Sequence, residues 1–121
     1  MDLDIVSAAA GTVVSLGGRF DATAVTEIRS TLECLPSETL SDVYIDLSRV
    51  SFIDSSALGL CIFLFKRLAA ERRKLFLVGP TGQPRRLIEL LRIDRVIEVT
   101  PHAPVLNPVP FNRGLRENTA A

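Results

Sequence analysis

The stretch from Val50 to Leu58, VSFIDSSAL, constrains the fold more than any other part of this chain. An apolar run enters an Asp-Ser-Ser step and leaves it as a long apolar segment of good helix formers. That order describes a strand feeding a helix through a tight polar turn. Ser and Asp suit such a junction because their side-chain oxygens accept from the unpaired N–H groups of the first helical turn. The same N–H groups and the helix dipole attract an anion. A serine here is either a cap or a place where a phosphate can sit without breaking the fold, and the residues alone leave both open.

Further elements follow from periodicity. Residues 12–16 (TVVSL), 43–47 (VYIDL) and 75–78 (LFLV) are β-rich runs bounded by turn residues, with weaker strands expected at 3–6 and 96–99. Between them, Val25, Ile28, Leu32 and Leu35 recur at helical spacing over 22–35, with Asp21 or Thr23 as N-cap and Pro36 as the expected end. A second helix is expected from about Ser56 to Arg72. At 100° steps Ala57, Cys61, Leu64, Phe65 and Leu68 share the face turned to the sheet. Lys66, Arg67, Ala70 and Arg73 share the other face, together with Gly59 and Phe63. A third helix starts near Pro84, with Leu87, Leu90 and Leu91 expected to face the core. The alternation predicts an α/β domain over residues 1–100, a mixed or parallel sheet of four to five strands joined by three or four helices. Four prolines between 101 and 110 mark residues 101–121 as an extended or partly disordered extension, pinned at most by Val109, Phe111 or Leu115.

Composition narrows the function classes. A chain of 121 residues with 47% hydrophobic content builds one ordinary core. Its 14 basic and 14 acidic side chains cancel, so no net charge favours bulk nucleic acid or an anionic membrane. Cys34 and Cys61 both fall on apolar helical faces and read as small buried hydrophobes of a reducing compartment. The single histidine, His102, lies among tail prolines, so no metal site and no cofactor are expected. No apolar run reaches the ~18 residues of a membrane span, and the acidic start MDLDIVSAAAG lacks the basic region of a signal peptide. A cytoplasmic location is the expectation.

Enzymatic chemistry finds little support. Gly17-Gly18-Arg19-Phe20 and Gly79-Pro80-Thr81-Gly82 match neither phosphate-cradle pattern. A nucleophilic serine at 55 or 56 has no Gly-x-Ser-x-Gly elbow and no well-placed base. Asp21, Asp46 and Asp54 fall at strand ends or turns, where capping explains them. A binding or switching module is expected rather than an enzyme.

Taken together, Gly18-x-x-Asp21 before the first helix, Val43–Leu47 as a strand, FIDSSALGL and the later LFLVGP resemble the STAS domain. That domain is found in anti-sigma factor antagonists and attached to sulphate transporters. The likeness covers about residues 5–100, and 44–59 is its specific part. The Asp-Ser-Ser step followed by a small residue and Leu-Gly is similar to the stand-alone antagonists of sporulation and general-stress pathways. The resemblance implies that the second serine, Ser56, is a phosphoacceptor, with Asp54, Ser55 and Ala57 as its neighbours. Ser55 would cap the helix or position the turn. Asp54 would cap as well, or hold the Ser56 hydroxyl. Asp21, Leu58, Gly59 and Phe63 would line the partner surface. Two departures stand out. Ala57 replaces a glycine of the sporulation-type proteins, and the Pro-rich extension replaces or displaces the last helix of the family.

What the resemblance implies is a partner switch. The unphosphorylated protein, a monomer or weak dimer, would bind an anti-sigma factor that is also a GHKL-type serine kinase, freeing the sigma factor. Phosphorylation would end the complex and a phosphatase would reset it, without direct nucleic-acid binding or membrane insertion. The competing expectations are a STAS subunit docking on the ATPase of an ABC-type lipid or solute transporter, a scaffold of a stress-signalling assembly, and a nucleotide-binding STAS domain.

Overall fold

Period-2 burial begins almost at the first residue. In β1 (Asp2–Ala8) Leu3 and Ile5 turn partly inward while Asp2 and Asp4 stay exposed, and β2 (Gly11–Phe20) buries Thr12, Val14 and Leu16. The chain is described by a computed structural model covering residues 1–105 and 109–110. After β2 come α1 (Ala22–Glu38), β3 (Val43–Ile53), α2 (Ser55–Ala69), β4 (Leu75–Val78), α3 (Gly82–Leu90), a 3-10 turn at Ile93–Arg95, β5 (Glu98–Thr100) and the two-residue β6 (Val109–Pro110).

The strands form one sheet in the order β5-β4-β3-β2-β1-β6. β1 runs antiparallel to both β2 and β6, whereas β2, β3, β4 and β5 are mutually parallel. The expected mixed α/β architecture is what the chain adopts. β3 outruns β4, since only Val43–Asp46 pair with Leu75–Val78. Its second half therefore has β2 on one side and the start of α3 on the other. Val43, Ile45, Leu47, Val50 and Ile53 of β3 meet Val25, Ile28, Leu32 and Leu35 of α1 and Ala57, Leu60, Cys61, Leu64 and Leu68 of α2 in one apolar core.

Several expectations change. Helix α1 runs past Pro36, which is buried in the last turn. A proline that late removes only one hydrogen bond, and the nearby Cys34 and Pro36 carbonyls accept from the Ser37 hydroxyl and the Arg73 guanidinium. Helix α2 begins one residue earlier than expected and ends at Ala69. Pro84 is the third residue of α3, not its first, though still in the turn where its missing N–H costs nothing. Pro84 and Ile88 make the core face of α3, with Leu87 half-buried, while Leu90 and Leu91 point outward at 75% and 48% exposure. Cys61 is buried as expected, and burial pushes its thiol up to about 12; Cys34 is exposed. In the extension, Val109 pairs with Ser7 and Pro110 with Val6. The rest of the expected extended segment, at 106–108 and 111–121, lies outside the described residues, Phe111 and Leu115 included.

Arg73 is the largest surprise in the packing. Expected on a solvent face, its side chain is 9% exposed. Its guanidinium donates to the Pro36 carbonyl at 2.7 Å, to the Ser41 carbonyl at 3.1 and 3.0 Å, and to Thr39 Oγ1 at 2.9 Å, and it pairs with Glu71 at 2.7 Å. One planar fork thus ties the end of α1 and the α1–β3 connection to the turn after α2.

Candidate functional site

Strands β2, β3 and β4 end on the same edge of the sheet, and α1, α2 and α3 begin there. The edge is shaped by a ladder irregularity between Gly18 and Arg19, with Gly18 at φ +99°, a conformation that favours glycine. Beyond it Asp21 caps α1, accepting from the Ala24 N–H at 3.1 Å. That hydrogen bond, with the Arg19 guanidinium 3.5 Å away, holds the Asp21 carboxyl below its usual value. The cap is therefore present above the ordinary carboxylate range and is lost only as pH falls through the lowered value. Arg19 also lies over the Phe52 ring at 4.3 Å.

Asp54 is the keystone of the turn. One carboxylate oxygen accepts from the Ala57 N–H at 3.0 Å and caps α2; the other accepts from the Ala22 N–H at 2.9 Å, at the start of α1. One side chain thereby joins two helix N-termini. Among the described residues no hydrogen bond joins Asp54 to the Ser56 hydroxyl, and the cap of α2 is Asp54, not Ser55. Ser55 and Ser56 are the first two residues of α2, both exposed, and neither hydroxyl makes a hydrogen bond among the described residues. Their backbone N–H groups are the ones that an α-helix leaves without an internal partner.

The remaining expected residues separate into two sets. Ala57 and Leu58 are 0% and 3% exposed and belong to the core, so the contact role expected of Leu58 does not fit its burial. Gly59 and Phe63 do share the outward face with the serines, Phe63 at 36% exposure with Arg67 above its ring at 5.9 Å. A Cβ built on Gly59 would meet nothing within 4 Å. Glycine inside a helix is less favourable than alanine by roughly 0.5–1 kcal/mol, and nothing within the domain requires it here. Gly59→Ala should raise stability by about that amount, read as a small rise in Tm.

Gln83 went unnoticed in the sequence. Its side-chain amide donates to the Ile53 carbonyl and accepts from the Ile53 N–H, both at 2.9 Å, and so acts as a one-residue strand beside the free end of β3. It fixes the residue from which Asp54, Ser55 and Ser56 project. A polar residue in a helix's first turn carries no periodic signal for such a role. Among the described residues no group of His, Cys, Asp or Glu is arranged to hold a metal ion, and no helix is long and apolar enough to cross a membrane.

The STAS domain family model matches residues 2–105. The chain belongs to the STAS domain family. Among curated proteins it is similar to the anti-sigma-B factor antagonist of Staphylococcus aureus (strain NCTC 8325 / PS 47), with 29% identity over 86 residues, 71% of this chain and 80% of that protein. Among solved structures, an anti-sigma factor antagonist from Mycobacterium paratuberculosis superposes with a TM-score of 0.76 at 22% identity, covering 84% of this chain and 86% of that one. The Bacillus cell fate determinant SpoIIAA in its phosphorylated form superposes with a TM-score of 0.64 at 21% identity, covering 81% and 90%. Likeness at these identities shows the STAS fold; the roles of individual residues rest on the site's own geometry.

Proposed function

We propose that this STAS domain is an anti-sigma factor antagonist in a phosphorylation-controlled partner switch, with its phosphoacceptor in the Ser55–Ser56 pair. The unphosphorylated chain binds an anti-sigma factor that is a GHKL-type serine kinase, phosphorylation ends the complex, and a phosphatase restores it. The observation that carries this reading is the freedom of the two hydroxyls. Serines at the start of a helix ordinarily serve as caps, yet Asp54 has taken that task and leaves both serines exposed and unbonded. A phosphate added there gains the helix dipole and unpaired N–H groups and meets no packed neighbour, so the fold tolerates it. Gly59 and Phe63, together with Asp21 at the adjoining helix start, complete the partner face. Gly59→Ala and a charge at Phe63 should therefore weaken partner binding without lowering Tm.

Within the pair, Ser56 is the acceptor that the resemblance implies. Residues three and four apart on a helix are neighbours, so Gly59, with open space where a side chain would be, clears the approach to Ser56 as well as to Ser55. Incubation with ATP and the anti-sigma kinase, followed by peptide mass spectrometry of the wild type, Ser55→Ala and Ser56→Ala, separates the two. Phosphate should appear on one serine and vanish with its substitution. Phosphate on neither would sink the reading.

A further inference from the structure

The absence of net charge conceals a strong separation of charge. Residues 1–54 hold nine Asp or Glu and three Arg, whereas residues 55–95 hold nine Lys or Arg and three Asp or Glu. In the second segment Glu71 and Glu89 are spent on Arg73 and Arg85. Arg72, Lys74, Arg86, Arg92 and Arg95 are all exposed and take part in no ion pair among the described residues. All but Arg86, which lies one turn from Gln83 in α3, belong to the corner where the turn after α2 meets the end of α3 and the 3-10 turn. Arg72, Lys74 and Val96 line one concavity there, of about 400 Å³, walled by Phe65, Ala69 and Leu75. Arg86 and Leu90 line a separate concavity along α3, together with Gln83 and Leu87. Glu98 lines the first concavity and Glu89 the second, with Glu71 and Asp94 exposed on the neighbouring turns.

The same corner carries the domain's most concentrated exposed apolar surface. Leu90, Leu91 and Val96 are 75%, 48% and 50% exposed, so half of the six exposed large hydrophobics among the described residues fall within seven residues. Leu90 and Leu91 turn outward, while Leu87, one turn earlier, packs partly against the core. Two of the arginines are held at some conformational cost. Arg72 and Arg92 adopt φ of +60° and +59°, a region that favours glycine or asparagine. Protruding leucines ringed by long basic side chains fit an interface of apolar interior and anionic surface better than a flat protein face.

We propose that this corner docks the domain peripherally on an anionic lipid surface, the leucines dipping into the headgroup boundary and the four basic side chains Arg72, Lys74, Arg92 and Arg95 meeting lipid phosphates. The docking is interfacial, with no spanning segment. It lies at the far end of α2 from Ser55 and Ser56, about 22 Å away along a helix of 15 residues, and does not depend on the partner switch. The test is co-sedimentation of the full chain with unilamellar vesicles of phosphatidylglycerol and phosphatidylcholine in equal parts, against vesicles of phosphatidylcholine alone. Binding should need the anionic lipid and fall steeply as salt is raised. The double variant Arg92→Asn, Arg95→Gln should bind about thirtyfold more weakly while keeping its Tm, since asparagine suits the left-handed position. Leu90→Gln should weaken binding several-fold at unchanged Tm. Equal binding to both vesicle types, no binding at low salt, or variants indistinguishable from wild type would overturn the proposal; no binding would leave an acidic protein surface as the occupant of this corner.

Discussion

Arg73→Ala should destabilise the domain by about 3 kcal/mol, which corresponds to roughly 10 °C in Tm for a domain of this size. Truncation does more than delete one ion pair. It removes every guanidinium bond to the Pro36 and Ser41 carbonyls and to Thr39 Oγ1, in a place where the side chain was almost wholly enclosed. Buried acceptors that lose a charged donor bear their desolvation cost unrelieved. The Glu71 contact is more exposed and contributes little. Arg73→Lys keeps the charge but loses the planar fork, so it should recover only part of the loss. Thermal or urea unfolding of the three proteins measures this directly. A loss within about 0.5 kcal/mol for Arg73→Ala would show the clamp to be incidental. Because the clamp grips the ends of α1 and α2 farthest from Asp54, the loss should appear as global instability, with the intrinsic phosphorylation of folded protein unchanged.

The second large effect lies at the opposite end of α2. A phosphate on the serine pair adds about −1.5 to −2 charges and three acceptor oxygens. Inside the domain that charge meets the start of α2 and remains in solvent, next to the Asp54 carboxylate that already serves two helices. Against a docked partner the same charge must be stripped of water, and an unmatched buried charge costs several kcal/mol. Each 1.4 kcal/mol is a factor of ten in affinity, so one phosphate should weaken the complex by about a hundredfold or more while Tm changes little. Ser→Asp at the acceptor position should reproduce part of that loss, since a single carboxylate carries less charge and fewer acceptors.

How far the sequence carried this picture can be judged residue by residue. The strand-to-helix junction at 50–58 was legible because its signals are local: an apolar run, a polar turn and a 3.6-residue stripe. Which of Asp54, Ser55 and Ser56 caps was not legible, since Asp and Ser both cap well and only geometry shows that Asp54 reaches Ala57 and Ala22 together. Leu87, Leu90 and Leu91 form a genuine stripe, but a stripe does not say which way it points. In a helix of nine residues Pro84 and Ile88 are the buried anchors, Leu87 packs partly against the core, and Leu90 and the capping Leu91 turn outward. Cys34 was misplaced because its neighbours Leu32 and Leu35 define the buried arc and leave it just outside. Arg73 and Gln83 act on partners 30 or more residues away along the chain, and no periodicity encodes such contacts. Charge separation was present in the sequence throughout, hidden by a sum of zero.

The central claim is that a phosphate on the Ser55–Ser56 pair switches partner binding without altering the fold. Its most direct test is calorimetric titration of the unphosphorylated and the fully phosphorylated chain against the anti-sigma factor kinase, with the melting temperature of each form measured alongside. The unphosphorylated form should bind, and the phosphorylated form should bind at least about a hundredfold more weakly at nearly the same Tm. Equal affinities, or a loss of binding that comes with unfolding, would contradict it.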